Sequence, residues 1–436
     1  MAERKASYGG VVVLGAPDKA GLKARLDALL AAAPSGDIPT MQAPSAEDLA
    51  ALERIVIDFE SADELINRIE RARQAVEAGA LADDRWADWK RLESRGVYRG
   101  RGAPGKVAFL FSGQGTQYVN MLRELRDVDA VVAQTFAEAD EVMIPILGRP
   151  LSDLIFIESD DKAALETAEE TLRDTRITQP AVLAVDVALY RLLKSYEIEP
   201  DLVIGHSLGE YAALVAAGAL TFAEALRVVS VRGRAMAEVA QADNGAMAAI
   251  MAPLDEVERI LTAVEGYAII CNVNSRSQVV IGGETAAIEK AVSAFGGAGY
   301  RAVPLAVSHA FHTRIVEGAA RPLQVVIRAQ QVQPPVLPVV ANVTGDLYPT
   351  APGEIVDLLG RQVYSPVQFV RGIETLYACG ARVFVEVGPK RVLAAFAEEI
   401  LAGRSDVLVV YTNHPRRGAV VSFHQAMCAL YAVGLG

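Results

Sequence analysis

The pentapeptide Gly205-His206-Ser207-Leu208-Gly209 closes an apolar run and opens a small-residue, alanine-rich one. A serine between two glycines at such a junction has two readings. It is a plain turn, or it is a nucleophile elbow whose strand-to-helix bend pushes the hydroxyl out beside a helix N-terminus. The pattern alone does not decide. A serine nucleophile needs a base within hydrogen-bond reach, and the chain has five histidines: His206, His309, His312, His414 and His424. His309 and His312 stand together in Ser308-His-Ala-Phe-His-Thr313. His414 and His424 fall in the C-terminal tail, outside the cleft expected below.

Arg232 stands out by its surroundings. Thr221 and Glu224 have capping-box spacing, which predicts a helix from Phe222 onward. Three and four residues either side of Arg232 lie Val228, Val229, Ala235 and Met236, so the guanidinium projects from the buried stripe. A charge there is costly unless a carboxylate answers it. That carboxylate belongs either to the protein, as a structural ion pair, or to a substrate gripped by the guanidinium fork.

Such groups need a scaffold to position them. The chain has 436 residues, of which 52% are hydrophobic and 22% charged, which predicts a packed protein of two or three domains. Its apolar runs are too short or too polar-flanked to span a bilayer, and no apolar leader with a cleavage site opens it. Cys271, Cys379 and Cys428 lack C-x-x-C spacing, which argues for a reducing, cytoplasmic setting and against a disulfide framework or zinc site. A net charge of −12 speaks against nucleic acid as a partner.

Strand-length apolar runs ending in turns recur at Lys106–Gly115, at Asp201–Gly205, at Pro335–Asn342 and at Ala381–Gly388, with helical segments between them. This is the pattern of an α/β unit with a parallel sheet covered on both faces. In such sheets sites form at the C-terminal strand ends, so the turns at Gln114, Ser207, Asn342 and Gly388 should share one edge. Residues 245–306 read as βαββαβ, a ferredoxin-like subdomain inserted into that unit, with a ligand cleft between the two bodies. Ahead of them, residues 1–104 read as a small α/β domain. It has a strand through Tyr8–Ala16, a helix to Leu30, a strand at Arg54–Phe59 and a helix capped at Ser61. A linker is expected over residues 31–45 and a second break at Tyr98–Lys106. The expected organisation is 1–104, 105–395 and 396–436.

Taken together, Gly113-Gln-Gly115, Gly205–Glu210, Arg232 and His309–His312 resemble the malonyl-CoA:acyl carrier protein transacylase family. Gln362–Phe369 (QVYSPVQF) and Val385–Pro389 (VEVGP) extend the likeness over Lys106–Ala395. The flanks are similar to the linkers around the acyltransferase domain of a type I polyketide or polyunsaturated fatty acid synthase, the ketosynthase itself being absent. The resemblance implies an α/β-hydrolase-like core, with Ser207 as nucleophile and His312 as base. It needs no triad aspartate, since backbone or amide oxygens near Gln362 or Asn342 can orient the imidazole. Leu208 and Gln114 would supply backbone N–H groups to an oxyanion hole, and Arg232 would take the malonyl carboxylate. His206 and His309 would shape the pocket, and Phe311 stands where methylmalonyl-selective members carry serine. The implied reaction moves malonyl from malonyl-CoA to the phosphopantetheine thiol of an acyl carrier protein, with no bound cofactor and no metal. Neighbouring synthase domains are the other implied partners. Ser112 replaces the family's frequent proline and Thr313 its usual serine. Two rival readings remain. An α/β serine hydrolase or thioesterase could use Asp255 or Glu256 as its acid but leaves Arg232 unexplained. A non-catalytic docking module leaves the whole set unexplained.

Overall fold

The computed structural model describes residues 5–33, 43–79, 86–159, 161–239 and 242–436. Most of the linker expected over residues 31–45 lies outside them. The chain divides into two compact units. One comprises residues 1–105, 192–199 and 410–436, and the other residues 106–191 and 200–409.

The first unit is built on an antiparallel sheet, β1 (Gly10–Ala16), β2 (Glu53–Phe59) and β3 (Val97–Arg101), in that order. Every residue of β1 and β2 is buried, so both faces of the sheet are covered. The helices Lys19–Ala32 and Ala62–Glu77 pack Leu22, Leu26, Leu65 and Ile69 against Val12, Leu14, Ile55 and Ile57. Ser61 caps the second helix by accepting from the Glu64 N–H, as its spacing predicts. Helix Ala419–Ala432 packs on β2 and β3. The first four residues of the expected break at Tyr98–Lys106 belong to strand β3, and residues 102–105 lie between β3 and β4. Gly100, read as a breaker, instead makes room, since a Cβ there would overlap the Ala432 carbonyl oxygen.

The second unit carries a sheet in the order β10 (Val339–Val340), β5 (Leu202–Gly205), β4 (Lys106–Phe111), β11 (Ala381–Val387), β12 (Leu408–Tyr411). The pairs β10–β5, β5–β4 and β4–β11 are all parallel. Their C-terminal ends therefore share an edge, and the turns at Gln114, Ser207, Asn342 and Gly388 follow them. The strand expected over Pro335–Asn342 shrinks to two residues. Pro335 and Pro338 have no N–H to give a ladder, although the Pro338 carbonyl still accepts from the Val203 N–H.

The inserted subdomain follows the expected βαββαβ order. It runs β6 (Ala246–Met251), helix Leu254–Leu261, β7 (Ala268–Val273), β8 (Val279–Gly283), helix Thr285–Gly297 and β9 (Arg301–Pro304). Its antiparallel sheet has the order β7-β8-β6-β9, with Ala248, Ile250, Val279, Ile281 and Phe295 in its core. At β7 the register slips between Ile270 and Asn272. There the chain also bonds to the larger body, Val367 N–H to the Cys271 carbonyl and Val273 N–H to the Val367 carbonyl. That seam sets one wall of the cleft.

Candidate active site

Ser207 stands between β5 and the helix Gly209–Ala216 with φ of 52°, in the left-handed region. Such a backbone is strained for a residue with a Cβ, by about 1–3 kcal/mol, so its surroundings must enforce it. Glycine on either side allows the sharp bend. A Cβ at Gly205 would overlap the carbonyl carbon of Gly209, and one at Gly209 the carbonyl oxygen of Phe111. Asn342, at the end of β10, braces the bend. Its Oδ1 accepts the Ser207 N–H at 2.5 Å, and its Nδ2 donates to the Gly205 carbonyl at 2.6 Å. Asn342 thus lies behind the elbow and not at the imidazole.

The Ser207 Oγ lies 2.8 Å from His312 Nε2. His312 also has positive φ, 61°, and its N–H donates to the Val363 carbonyl. On its far side Nδ1 faces two acceptors, the carbonyls of Gln362 at 3.0 Å and Ser365 at 3.1 Å. Nδ1 therefore carries the proton, which leaves the Nε2 lone pair for the serine hydroxyl. Burial, then the nearby Arg232 charge, pushes the His312 pKa down to about 3, so the imidazole is neutral at pH 7. Among the described residues no carboxylate hydrogen-bonds the imidazole. Glu256 is an exposed partner of Arg259 in the inserted subdomain, remote from this role.

Arg232 comes from the helix Phe222–Ala237, which begins with the expected Thr221–Glu224 capping box. It is only 2% exposed, and Val228, Val229 and Met236 beside it are buried. Its Nη1 donates to Gln179 Oε1 at 3.0 Å, and its Nη2 to Gln362 Oε1 at 3.1 Å and Ser207 Oγ at 3.2 Å. All three acceptors are neutral. Its Nε–H has no hydrogen-bond partner. The guanidinium is thus buried and charged beside the serine with no direct counter-ion among the described residues, and burial lowers its pKa.

Ser207, His312 and Arg232 line a cavity of about 410 Å³ with Gln114, His206 and Phe311. The inserted subdomain adds Asn272, Asn274 and Gln278. His206 Nε2 pairs with Asn274 Oδ1 at 2.8 Å, and burial lowers the His206 pKa. Among the described residues the Gln114 and Leu208 N–H groups make no backbone hydrogen bond. The Gln114 side chain is occupied, its Oε1 accepting from Thr175 Oγ1. His309 stays apart. It is buried with neither ring nitrogen hydrogen-bonded, its ring 6.4 Å from that of Phe311. Gln179, Asn274, Gln278 and Ser365 were not singled out from sequence. Gln179 stands among polar neighbours, Thr175-Arg-Ile-Thr-Gln179, so nothing in the local pattern marks it.

Residues 108–431 match the family described as the acyl transferase domain. The chain belongs to this family. A malonyl CoA-acyl carrier protein transacylase of Bacillus subtilis is 38% identical over 300 residues, which cover 68% of this chain and 90% of that protein. The spectinabilin polyketide synthase system protein NorB of Streptomyces orinoci is 36% identical over 350 residues, 79% of this chain but only 15% of that much longer one. Among solved structures, the acyltransferase domain from the second module of the salinomycin polyketide synthase has a TM-score of 0.73 at 31% identity, covering 97% of this chain and 93% of that one. A malonyl-transacylase in complex with a type II polyketide synthase acyl carrier protein has a TM-score of 0.65 at 35% identity, covering 74% and 99%.

The acyltransferase also buries two carboxyls behind this site. Glu386, at the end of β11, accepts the N–H groups of Val392, Leu393 and Ala394 at the start of helix Leu393–Ile400. Asp186 beside it has no hydrogen bond to either oxygen. Burial, then the Glu386 charge, pushes the Asp186 carboxyl well above the usual range, and burial raises Glu386 to about 7. Gly388 must be glycine here. Its φ is 153°, and a Cβ would overlap both Ser112 Oγ and Asp186 Oδ1.

Proposed function

We propose that this acyltransferase moves malonyl from malonyl-CoA to the phosphopantetheine thiol of an acyl carrier protein, through an ester on Ser207. The observation that carries the reading is a buried guanidinium without a protein carboxylate, 3.2 Å from a serine that is itself paired with a neutral histidine. A hydrolase of neutral esters has no use for that charge.

In this mechanism Arg232 holds the malonyl carboxylate and places the thioester carbonyl over Ser207. Ser207 Oγ attacks as its proton passes to His312 Nε2, and the new oxyanion is met by the N–H groups of Leu208 and Gln114. When the C–S bond breaks, the imidazolium returns its proton to the departing CoA sulfur. The carrier-protein thiol then attacks the ester by the reverse path, giving its proton to His312, and Ser207 Oγ recovers one from it. Gln362 and Ser365 carbonyls keep the imidazole in the required tautomer. Phe311 and His206 bound the acyl pocket, and His309 supports the Phe311 segment from behind. Asn342 keeps the elbow bent.

The likeness to the synthase domain spans 97% of the chain, against 74% for the carrier-protein-bound transacylase. This supports placing the chain within a multidomain synthase, with residues 1–104 and 396–436 as linkers toward a ketosynthase and other neighbours. No described helix is long and apolar enough to cross a membrane. The three cysteines are all free, in keeping with a cytoplasmic setting. Intact-mass measurement after mixing with malonyl-CoA tests the reading. A stable adduct that maps to Ser207 and is lost in Ser207→Ala supports it. An adduct on another residue, or rapid release of free malonate with no adduct, rejects it.

A further inference from the structure

We propose that Glu210 is a positioning residue for Arg232: its carboxylate fixes which way the Gln362 side-chain amide faces, and through that amide it steadies the guanidinium that receives the donor's carboxylate. This rests on the malonyl-transfer reading above.

Glu210 is in the first turn of the helix that follows the elbow, where a carboxylate suits the helix N-terminus. It is fully buried, however, and three groups donate hydrogen bonds to it. Oε1 accepts from the Asn342 N–H at 2.9 Å and the Tyr348 hydroxyl at 2.6 Å. Oε2 accepts from Gln362 Nε2 at 2.7 Å. Burial raises the Glu210 pKa to about 7, while the hydrogen bonds from Tyr348, Asn342 and Gln362 and the Arg232 charge act against that and favour the carboxylate form.

The consequence passes to Gln362. Its Nε2 is drawn to Glu210 and to the Ser207 carbonyl, 2.6 Å away, so its Oε1 must face Arg232 Nη2. The backbone carbonyl of the same residue accepts His312 Nδ1. One glutamine therefore touches the serine, the histidine and the arginine, and one carboxylate sets its orientation. Glu210 also attracts the Arg232 charge. Because an amide stands between them, the countercharge does not occupy the guanidinium fork. A direct ion pair would take the place of the substrate's carboxylate.

In Glu210→Gln one end of the side chain becomes an NH₂ donor. Facing Gln362, it turns that amide over and presents Nε2 to Arg232, donor against donor. Facing the other way, it meets the Asn342 N–H, which cannot rotate. The second arrangement leaves Gln362 in place but sets a donor against a backbone N–H that cannot turn away, so the first is expected, and in it Arg232 loses its fixed position while the Ser207 hydroxyl and His312 imidazole remain.

The experiment compares malonyl-CoA with acetyl-CoA as donors, pantetheine being the acceptor, in the wild type, Glu210→Gln and Tyr348→Phe. The expected result for Glu210→Gln is a rise of about tenfold in KM for malonyl-CoA with kcat within about threefold, so that the malonyl-to-acetyl ratio of kcat/KM falls about tenfold. Tyr348→Phe, which removes one donor on the far side of Glu210, moves the ratio the same way by less, and serves alone if Glu210→Gln does not fold. A wild type that forms no malonyl ester overturns the functional reading itself. A wild type that forms one, with the ratio unchanged in whichever variants fold, overturns the positioning role alone.

Discussion

His312 gives its Nε2 to Ser207 at 2.8 Å and its Nδ1 proton to two backbone carbonyls, so carbonyls stand where a triad would place a carboxylate. Carbonyls orient the ring but add no negative charge. The imidazole, the proposed base, is therefore held neutral by burial instead of being primed by a carboxylate. Removing it should lower transfer from malonyl-CoA by about 10²–10⁴-fold, the range for loss of a general base. His309→Ala should cost far less, since that ring touches no reacting atom. Single-turnover acylation of the two variants checks this, and the opposite ranking would identify the other histidine as the base.

The same burial has a pH signature. The His312 pKa lies near 3 in the folded protein, against about 6.5 for a free histidine. The folded state thus refuses a proton that the unfolded chain accepts below about pH 6.5. The associated stability is complete above that value and is lost progressively as pH falls toward 3. In an NMR titration of labelled imidazoles, His312 should show no protonation between pH 8 and 5. A midpoint near 6.5 would mean that its burial does not govern it.

Asp186 reverses the sign. Its carboxyl is pushed well above the usual range, so the folded protein keeps a proton that the unfolded chain releases above about pH 4. Stability is lost as pH rises from there toward the raised folded value. Asp186→Asn has no such proton to lose. It should be more stable than the wild type at pH 8, by about 1–3 kcal/mol, with most of that gain gone at pH 4.5. Urea unfolding at the two pH values decides, and an equal difference at both would show that the carboxyl is not held protonated.

Much of this architecture was legible because it is local. The α/β pattern, the βαββαβ insertion and the elbow each occupy a short stretch with its own periodicity or turn signal. Arg232 was legible for the opposite reason, as a charge that violates its local pattern. What could not be read was what depends on approach between distant segments. Gln362 stands out in the sequence as the first residue of a family stretch whose oxygens could orient the imidazole, and nothing there ties it to Arg232. That its amide has one face for Glu210 and the other for Arg232 depends on how three elements converge. Gly100 shows the same limit, since its reason for being glycine is the Ala432 carbonyl, more than three hundred residues away. The strand expected over Pro335–Asn342 shortens to β10 because Pro335 and Pro338 offer no N–H, a local fact outweighed in reading by the apolar run around them.

Substrate choice tests both ends of the acyl pocket together. Arg232 is buried and hydrogen-bonded only to neutral oxygens, so an acyl chain ending in a carboxylate gains from entering and acetyl does not. Malonyl-CoA should therefore exceed acetyl-CoA in kcat/KM. Arg232→Ala should impair malonyl transfer strongly, since truncating one partner of a buried charge pair typically costs about 2–5 kcal/mol. Acetyl, which makes no such pair, should lose less and so gain relative to malonyl. Phe311 lines the cavity, and its ring is the proposed boundary at the α-carbon. An added methyl group must displace that ring, a discrimination of about 1–3 kcal/mol, or about ten- to two-hundredfold against methylmalonyl-CoA. Phe311→Ser should narrow that gap by opening the wall while leaving the preference for a free carboxylate intact. Measuring kcat/KM for the three donors on the wild type and both variants separates the two effects. Equal rates with acetyl and malonyl in the wild type would remove Arg232 from the binding role, and an unchanged methylmalonyl ratio in Phe311→Ser would remove Phe311 as the gate.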